Sequence, residues 1–368
     1  MRWVMWAIPV FLFLIGFFHR AAPGVIARDL MQAFEATGAT IGLLAATYFY
    51  SYAALMVPAG LLLDAFGARR VLTAGGAVMG VGALVMGGAT ATPMLFAGRL
   101  LVGAGASATF IGTLKIAAAW FPPARFGFLA ALSATAGVFG ALVSTLPLAA
   151  LVTGVGWRGA FWGVGLVTLA GTALCLAVVR DRPAGSAAAP PAPAFATVIA
   201  GMAQVLRNPH TWPPFLVFFC LYTVAGNHML WTVPYLRDVY GLGLTESAFY
   251  AMATSLALLV SAPLTGFASD RLVGRRKAVC AALSGAQCGL WVVFVGTLGA
   301  LPLPLVHARW AGTLVDGARR YPVEAYRDGF GVCAAFAAAA ALLCLLMRET
   351  HGRNIYDQLR APTVREAA

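Results

Sequence analysis

Several basic and imidazole side chains of this chain lie inside apolar stretches, where a charge is costly. His19 and Arg20 fall in an apolar run over 3–25, Arg99 and Lys115 in one over 93–118, and Asn227 and His228 in one over 212–235. A charge at the centre of a bilayer-spanning helix costs about 2.5–3.5 kcal/mol on insertion scales, which makes each such residue a functional candidate. No Asp or Glu is embedded as deeply: Asp64 and Asp270 stand at the ends of apolar runs, Asp29 and Asp238 in the turns beyond them. The resulting field is positive, and a cavity lined by Arg and His suits an anionic solute. His19, Arg20, Arg99, Lys115, Asn227 and His228 are therefore the candidates for a solute path. Structural roles compete with this reading: Lys115 is equally explained by snorkelling to the interface, and His228 by hydrogen-bonded packing. Tyr48, Tyr50, Tyr52, Tyr222 and Trp231 read first as packing residues. Without an embedded carboxylate, proton coupling would fall to histidine, whose ordinary pKa of about 6.5 suits that task.

Other chemistry finds no support in the residue pattern. There is no HExxH, no glycine-rich phosphate loop and no Ser/His/acid constellation, so neither an enzyme nor a cofactor is expected. The six cysteines (Cys175, Cys220, Cys280, Cys288, Cys333, Cys344) lie in apolar segments without metal-ligand spacing, and they read as small packing residues rather than a metal site.

The elements that hold these groups follow from hydropathy. The 368 residues are 61% hydrophobic and 10% charged, with a mean hydropathy of +0.83. A bilayer span needs about 20 mainly apolar residues. Such runs occur near 3–25, 41–63, 71–89, 93–118, 126–152 and 158–179, and again near 212–235, 247–268, 278–299 and 329–347. Ten spans are thus expected in an all-α membrane protein. The first run has the basic start of a signal peptide, but no small-residue cleavage site follows it, so it reads as a span. Between the sixth and seventh runs, Arg180 to Ala194 is rich in Pro, Ala and Gly and reads as a linker, followed by an amphipathic segment from Phe195 to Leu206. The organisation expected is a first bundle over 1–179, a linker over 180–210, a second set of spans over 211–347 and a polar tail over 348–368.

The net charge of +12 invites a nucleic-acid reading, but the positive residues sit in short loops and form no basic stripe. With the N-terminus inside, fifteen Lys and Arg fall on the inner side and seven on the outer, with Arg20, Arg99 and Lys115 within spans. That asymmetry predicts cytoplasmic N- and C-termini in a cytoplasmic (inner) membrane. The partners expected are a small solute, a coupling proton or ion, and the lipid bilayer.

The chain also repeats itself. Arg28-Asp29 after the first run matches Arg237-Asp238 after the seventh, and His19 and His228 lie equally far before them. Gly60, Asp64, Gly67, Arg69 and Arg70 follow the second run, as Gly266, Asp270, Arg271, Gly274, Arg275 and Arg276 follow the eighth. Trp157 to Phe161 precedes the last run of the first half, as Tyr326 to Phe330 does in the second. Three apolar runs separate Asp64 from Arg158, but only one separates Asp270 from Arg327. The second half is therefore two spans short, and Leu301 to Asp328, too polar for lipid, is expected to be an outer loop.

These paired loops resemble the signature loop of the major facilitator superfamily: a glycine, an aspartate followed by a basic residue, a glycine and a basic pair. The second copy carries every residue type, whereas the first has Ala65 where a basic residue is usual. Arg99, Gly103 and Gly105 resemble a second family motif, R-x-x-x-G-x-G. The Gly-Pro pair of the family's antiporter motif is absent from Gly137 to Gly140. The resemblance implies two pseudo-symmetric helical bundles, here without the counterparts of spans ten and eleven of the twelve-span fold. It further implies alternating access, with the signature loops latching the cytoplasmic face and Arg99 tied to coupling or cavity structure. Topology anchoring alone also explains Arg69, Arg70, Arg275 and Arg276. The branch most similar comprises the organic-anion and sugar-phosphate carriers, which place a basic residue in span one. The alternative, prompted by the missing pair of spans, is a non-transporting or impaired protein of the same scaffold: a degraded gene, a sensor or a subunit.

Overall fold

The computed structural model describes residues 1–183, 201, 203–267, 276–297, 313–315 and 318–347. The first half folds into α1 (Arg2–Val25), α2 (Ala27–Phe34), α3 (Gly38–Phe66), α4 (Ala68–Gly87), α5 (Thr92–Ala106), α6 (Thr109–Trp120), α7 (Phe126–Val143) and α8 (Leu146–Val178). The second contributes α9 (Trp212–Val239), α10 (Leu244–Phe267), α11 (Arg276–Thr297), a short antiparallel hairpin of β1 (Thr313–Val315) and β2 (Ala318–Arg320), and α12 (Val323–Leu346). Among the described residues ten segments are long and apolar enough to cross a bilayer, α5 and α6 together making one of them, Thr92–Trp120. Helices satisfy their own backbone groups, which hydrocarbon requires. Large apolar side chains such as Phe218, Leu290, Leu342 and Leu346 stand largely outward. Outward-facing apolar side chains on long helices mark an integral multi-pass membrane protein.

Local sequence sets several boundaries. Thr37 caps α3, its hydroxyl accepting from the Thr40 N–H at 3.2 Å. The chain bends at Ser144 and Thr145 between α7 and α8. Within α8, Gly156 takes φ 73° and ψ 164°, so Leu146–Val155 and Trp157–Val178 are separate helical pieces. The expected boundary between 152 and 158 corresponds to this break.

The described part of the segment 301–328, expected as an outer loop, carries secondary structure of its own. Thr313–Val315 and Ala318–Arg320 pair as a hairpin, and α12 begins at Val323 rather than near 329. Pro322 marks the change from strand to helix. It has no N–H to extend the preceding strand, and Glu324 in the first turn favours a helix start. Residues 301–312 lie outside the described residues, as does most of the expected amphipathic segment 195–206.

The chain divides into two compact units. One comprises Met1–Val198, Met229–Leu259 and His307–Val323, the other Ile199–His228, Val260–Val306 and Glu324–Ala368. In the first, Ile15, Leu44, Tyr48, Met79, Val102, Leu148 and Phe161 form a core that also takes in Val233 and Ala248 from α9 and α10. In the second, Val217 and Cys220 of α9 pack with Ala340 and Cys344 of α12, flanked by Ala281 of α11. Small residues at such contacts let helices approach closely, which drives association in lipid.

Candidate functional site

Three of the embedded polar residues meet in the first unit, where the second half of α1 faces α3 and α5. His19, Arg20 and Arg99 are all buried, His19 and Arg99 completely. Arg99 does not present its charge to open space. Its Nη1 donates to the His19 carbonyl at 2.5 Å and its Nη2 to the Arg20 carbonyl at 3.1 Å. The guanidinium carbon also lies 4.8 Å from the centre of the Tyr48 ring. Gly103, one turn from Arg99 on the same face, makes this meeting possible. A Cβ there would run into Ser51 Oγ and the Tyr48 carbonyl, so only glycine brings α5 this close to α3. Gly105 does the same against Gly75 and Met79 of α4.

Arg20 is enclosed by aromatic rings. Its guanidinium carbon lies 4.2 Å from the centre of Phe17, 5.2 Å from Tyr52, and 5.5 Å from both Tyr48 and Phe49. Each such cation–π contact is worth about 0.5–2 kcal/mol, the more where water is excluded. Phe17 precedes Arg20 by three residues on one helix face, and Tyr48, Phe49 and Tyr52 come from a single stretch of α3. Tyr48 and Tyr52 stack on each other with centroids 5.8 Å apart. His19 points the other way, stacking on Phe161 at 6.4 Å and meeting Phe18 edge-on at 5.9 Å. Neither of its ring nitrogens meets a hydrogen-bond partner among the described residues.

Lys115 is placed apart from these three. Its Nζ pairs with Asp64 Oδ1 at 2.8 Å and also donates to the Leu63 carbonyl. This brings an embedded candidate and a signature-loop residue together. Within that loop Gly67 takes φ 84° and ψ 158°, and the Arg69 N–H donates to Asp181 Oδ1 at 2.7 Å. The Arg69 guanidinium donates from Nε (2.9 Å) and Nη2 (2.5 Å) to the Leu176 carbonyl near the end of α8. A cation there satisfies a carbonyl that the helix terminus leaves over. Arg70 is exposed, and the space around Gly60 is open. In the second copy, Gly266 lies within α10 and Arg276 opens α11. Asp270, Arg271, Gly274 and Arg275 lie outside the described residues.

The remaining candidates belong to the second unit. Asn227 Nδ2 donates to the Gly329 carbonyl at 3.1 Å and to Cys333 Sγ at 2.9 Å, tying α9 to α12. His228 meets the Trp291 ring edge-on at 6.0 Å.

A further polar cluster joins α2 and α3 to the end of α9 and the hairpin. Asp29 and Arg237, each from one copy of the repeated Arg-Asp pair, lie 3.7 Å apart. Burial pushes the Asp29 carboxyl above its ordinary range, against the opposing pull of Arg237. Asp238, the other repeat carboxylate, accepts from the Tyr321 N–H at 3.2 Å through Oδ2, while its carbonyl accepts from Arg320 Nε at 2.7 Å. Tyr321 Oη in turn accepts from the Gly38 N–H at 2.7 Å, in the first turn of α3. Sequence reasoning noted the repeat but not this pairing. It also missed Asp181 and Tyr321. Asp181 carried a signal, an isolated acid between Arg180 and Arg182 just past α8; Tyr321 carried none.

Comparison with known proteins agrees with this architecture. A family model described as Major Facilitator Superfamily matches residues 9–354. A probable sulfoacetate transporter of Cupriavidus necator is 25% identical over 309 residues, 79% of this chain and 68% of the relative. An uncharacterized transporter of Bacillus subtilis is 28% identical over 168 residues, 46% of this chain. This chain thus spans only 39% of that curated relative's length. A bacterial homolog of the human lysosomal transporter Spinster, solved inward-facing and unoccupied, superposes with a TM-score of 0.67 at 17% identity, covering 93% of this chain and 74% of that one. The last likeness is one of fold. The chain belongs to the Major Facilitator Superfamily.

Proposed function

We propose that this chain is a carrier that moves a small organic anion across the cytoplasmic membrane by alternating access, with both termini cytoplasmic and no enzymatic activity. The observation that carries the proposal is the buried pair of guanidinium groups, Arg20 in its ring of aromatics and Arg99 beside it, in two spans, Arg2–Val25 and Thr92–Trp120, that hold no Asp or Glu. Charge of one sign in a low-dielectric surrounding attracts the other sign strongly. Relatives named as transporters of sulfoacetate and of galactarate or D-glucarate support the solute class, and favour transport over a non-transporting scaffold. The division into bundles over 1–179 and 211–347, a linker over 180–210 and a tail over 348–368 belongs to the same proposal. So do the solute-path roles of His19, Arg20, Arg99, Asn227 and His228, and a latch at the signature loops in which Lys115 joins Asp64. A coupling proton would fall to His19 or His228.

The test is flux. The full chain in proteoliposomes is offered labelled small carboxylates and sulfonates, with a neutral sugar as control. Saturable uptake of an anion is expected, lost in Arg20→Ala and partly kept in Arg20→Lys. Undiminished uptake by Arg20→Ala removes Arg20 from the path. No flux across the panel favours the non-transporting alternative.

A further inference from the structure

Pro23 lies inside α1, two residues from its end. In an α-helix the N–H of residue 23 would bond to the carbonyl of residue 19, but proline has no N–H. The His19 carbonyl is thereby left without its helical donor, in the middle of a packed bundle and out of reach of bulk water. A polar backbone group in that position must find another partner. The atom that reaches it is Arg99 Nη1 at 2.5 Å, while Nη2 of the same fork takes the Arg20 carbonyl at 3.1 Å.

We propose that Arg99 replaces the donor that Pro23 removes from α1, and that through this backbone bond it is a positioning residue for Arg20. The planar guanidinium suits the task, since its fixed fork reaches two neighbouring carbonyls at once. Holding the carbonyls of residues 19 and 20 fixes the turn from which the Arg20 side chain departs, and hence its seat among Phe17, Tyr48, Phe49 and Tyr52. Tyr48 touches both guanidinium groups, 4.8 Å from Arg99 and 5.5 Å from Arg20, so the same ring braces the donor and the residue it positions. Beyond the charge it adds to the region, Arg99 thus serves the solute path through the backbone of α1. The positioning half of this inference rests on the proposed transport of an anion past Arg20; the backbone half does not.

A double-mutant cycle separates the halves. Thermal unfolding of the purified full chain is measured for the wild type, Arg99→Met, Pro23→Ala and the double variant, together with the half-saturating solute concentration for uptake. In Pro23→Ala the N–H restored at position 23 bonds to the His19 carbonyl, so the loss of melting temperature caused by Arg99→Met should shrink to about half in that background. The half-saturating concentration, raised by Arg99→Met, should fall back in the double variant. Additive melting losses would overturn the backbone role. Coupled melting with no recovery of half-saturation would overturn the positioning of Arg20. Where Arg99→Met does not yield folded protein, Arg99→Lys, which reaches one carbonyl but not both, takes its place in the same cycle. A protein that transports nothing leaves the melting coupling to decide the backbone role by itself.

Discussion

Replacing Gly67 by alanine probes the cytoplasmic signature loop at its tightest point. Gly67 holds φ 84° and ψ 158°, a region almost confined to glycine, where another residue is strained by about 1–3 kcal/mol. A Cβ added there would stand 2.5 Å from Asp181 Oδ2 and 2.9 Å from its Cγ. The carboxylate must therefore move, and it is the acceptor for the Arg69 N–H at 2.7 Å. Hydrogen bonds to charged groups contribute about 1.5–3 kcal/mol. Together these place the loss at about 2.5–6 kcal/mol, unless Asp181 swings aside with its bond intact, in which case only the strain remains. Gly60, in the same motif, has nothing within 4 Å of its added Cβ and lies inside α3, where alanine is favoured over glycine by about 0.5–1 kcal/mol. Two glycines of one motif thus respond with opposite sign. The assay is denaturant or thermal unfolding of the solubilised full chain for both variants and for Gly67→Ala with Asp181→Ala. The double variant should lose little beyond Asp181→Ala plus the strain, because the clash has gone. Wild-type stability in Gly67→Ala, or an equal loss in Gly60→Ala, refutes the reasoning.

Further outcomes follow from the other polar contacts. Because burial raises the Asp29 pKa above its ordinary 3.8 despite Arg237, its stabilising contribution is present below 3.8 and is lost as pH rises through the raised value. The folded state should therefore gain stability at Asp29 on acidification, and Asp29→Asn should flatten that pH dependence in melting curves. Arg237→Met, which leaves the half-buried carboxylate without its cation, should instead cost about 1–3 kcal/mol at neutral pH, read from denaturant unfolding. Tyr321→Phe removes the acceptor of the Gly38 N–H and should lower unfolding free energy by about 1 kcal/mol. Lys115→Met breaks a half-exposed ion pair with Asp64 and a hydrogen bond to the Leu63 carbonyl, and should lower unfolding free energy by no more than about 1–2 kcal/mol; a larger loss in denaturant unfolding would refute that bound.

The sequence by itself determined the membrane character, the expected count of spans and the paired loops. Partition into a bilayer depends on the apolarity of some twenty consecutive residues, and backbone satisfaction then leaves the helix as the open choice. The interruptions at 64–70 and 153–157 were also legible, as gaps between apolar runs; that Gly67 and Gly156 take positive φ there was not. Which buried groups meet was not legible. Arg20 and Arg99 read alike as embedded cations, yet one sits among aromatic rings and the other bonds the backbone of α1. Lys115 and Asp64 lie on different spans and meet at one end of the bundle, and Asp29 pairs with the arginine of the other repeat copy rather than its own. The hairpin within 313–320 and the helix start at Val323 were likewise hidden, because the segment's polar residues outweighed its hydropathy signal. The reason is common to all of these. Hydropathy acts over one span and can be read along the chain. Contacts between helices depend on the rotation and depth of each, and those are set by small residues such as Gly103 and Gly105 only once the helices have packed.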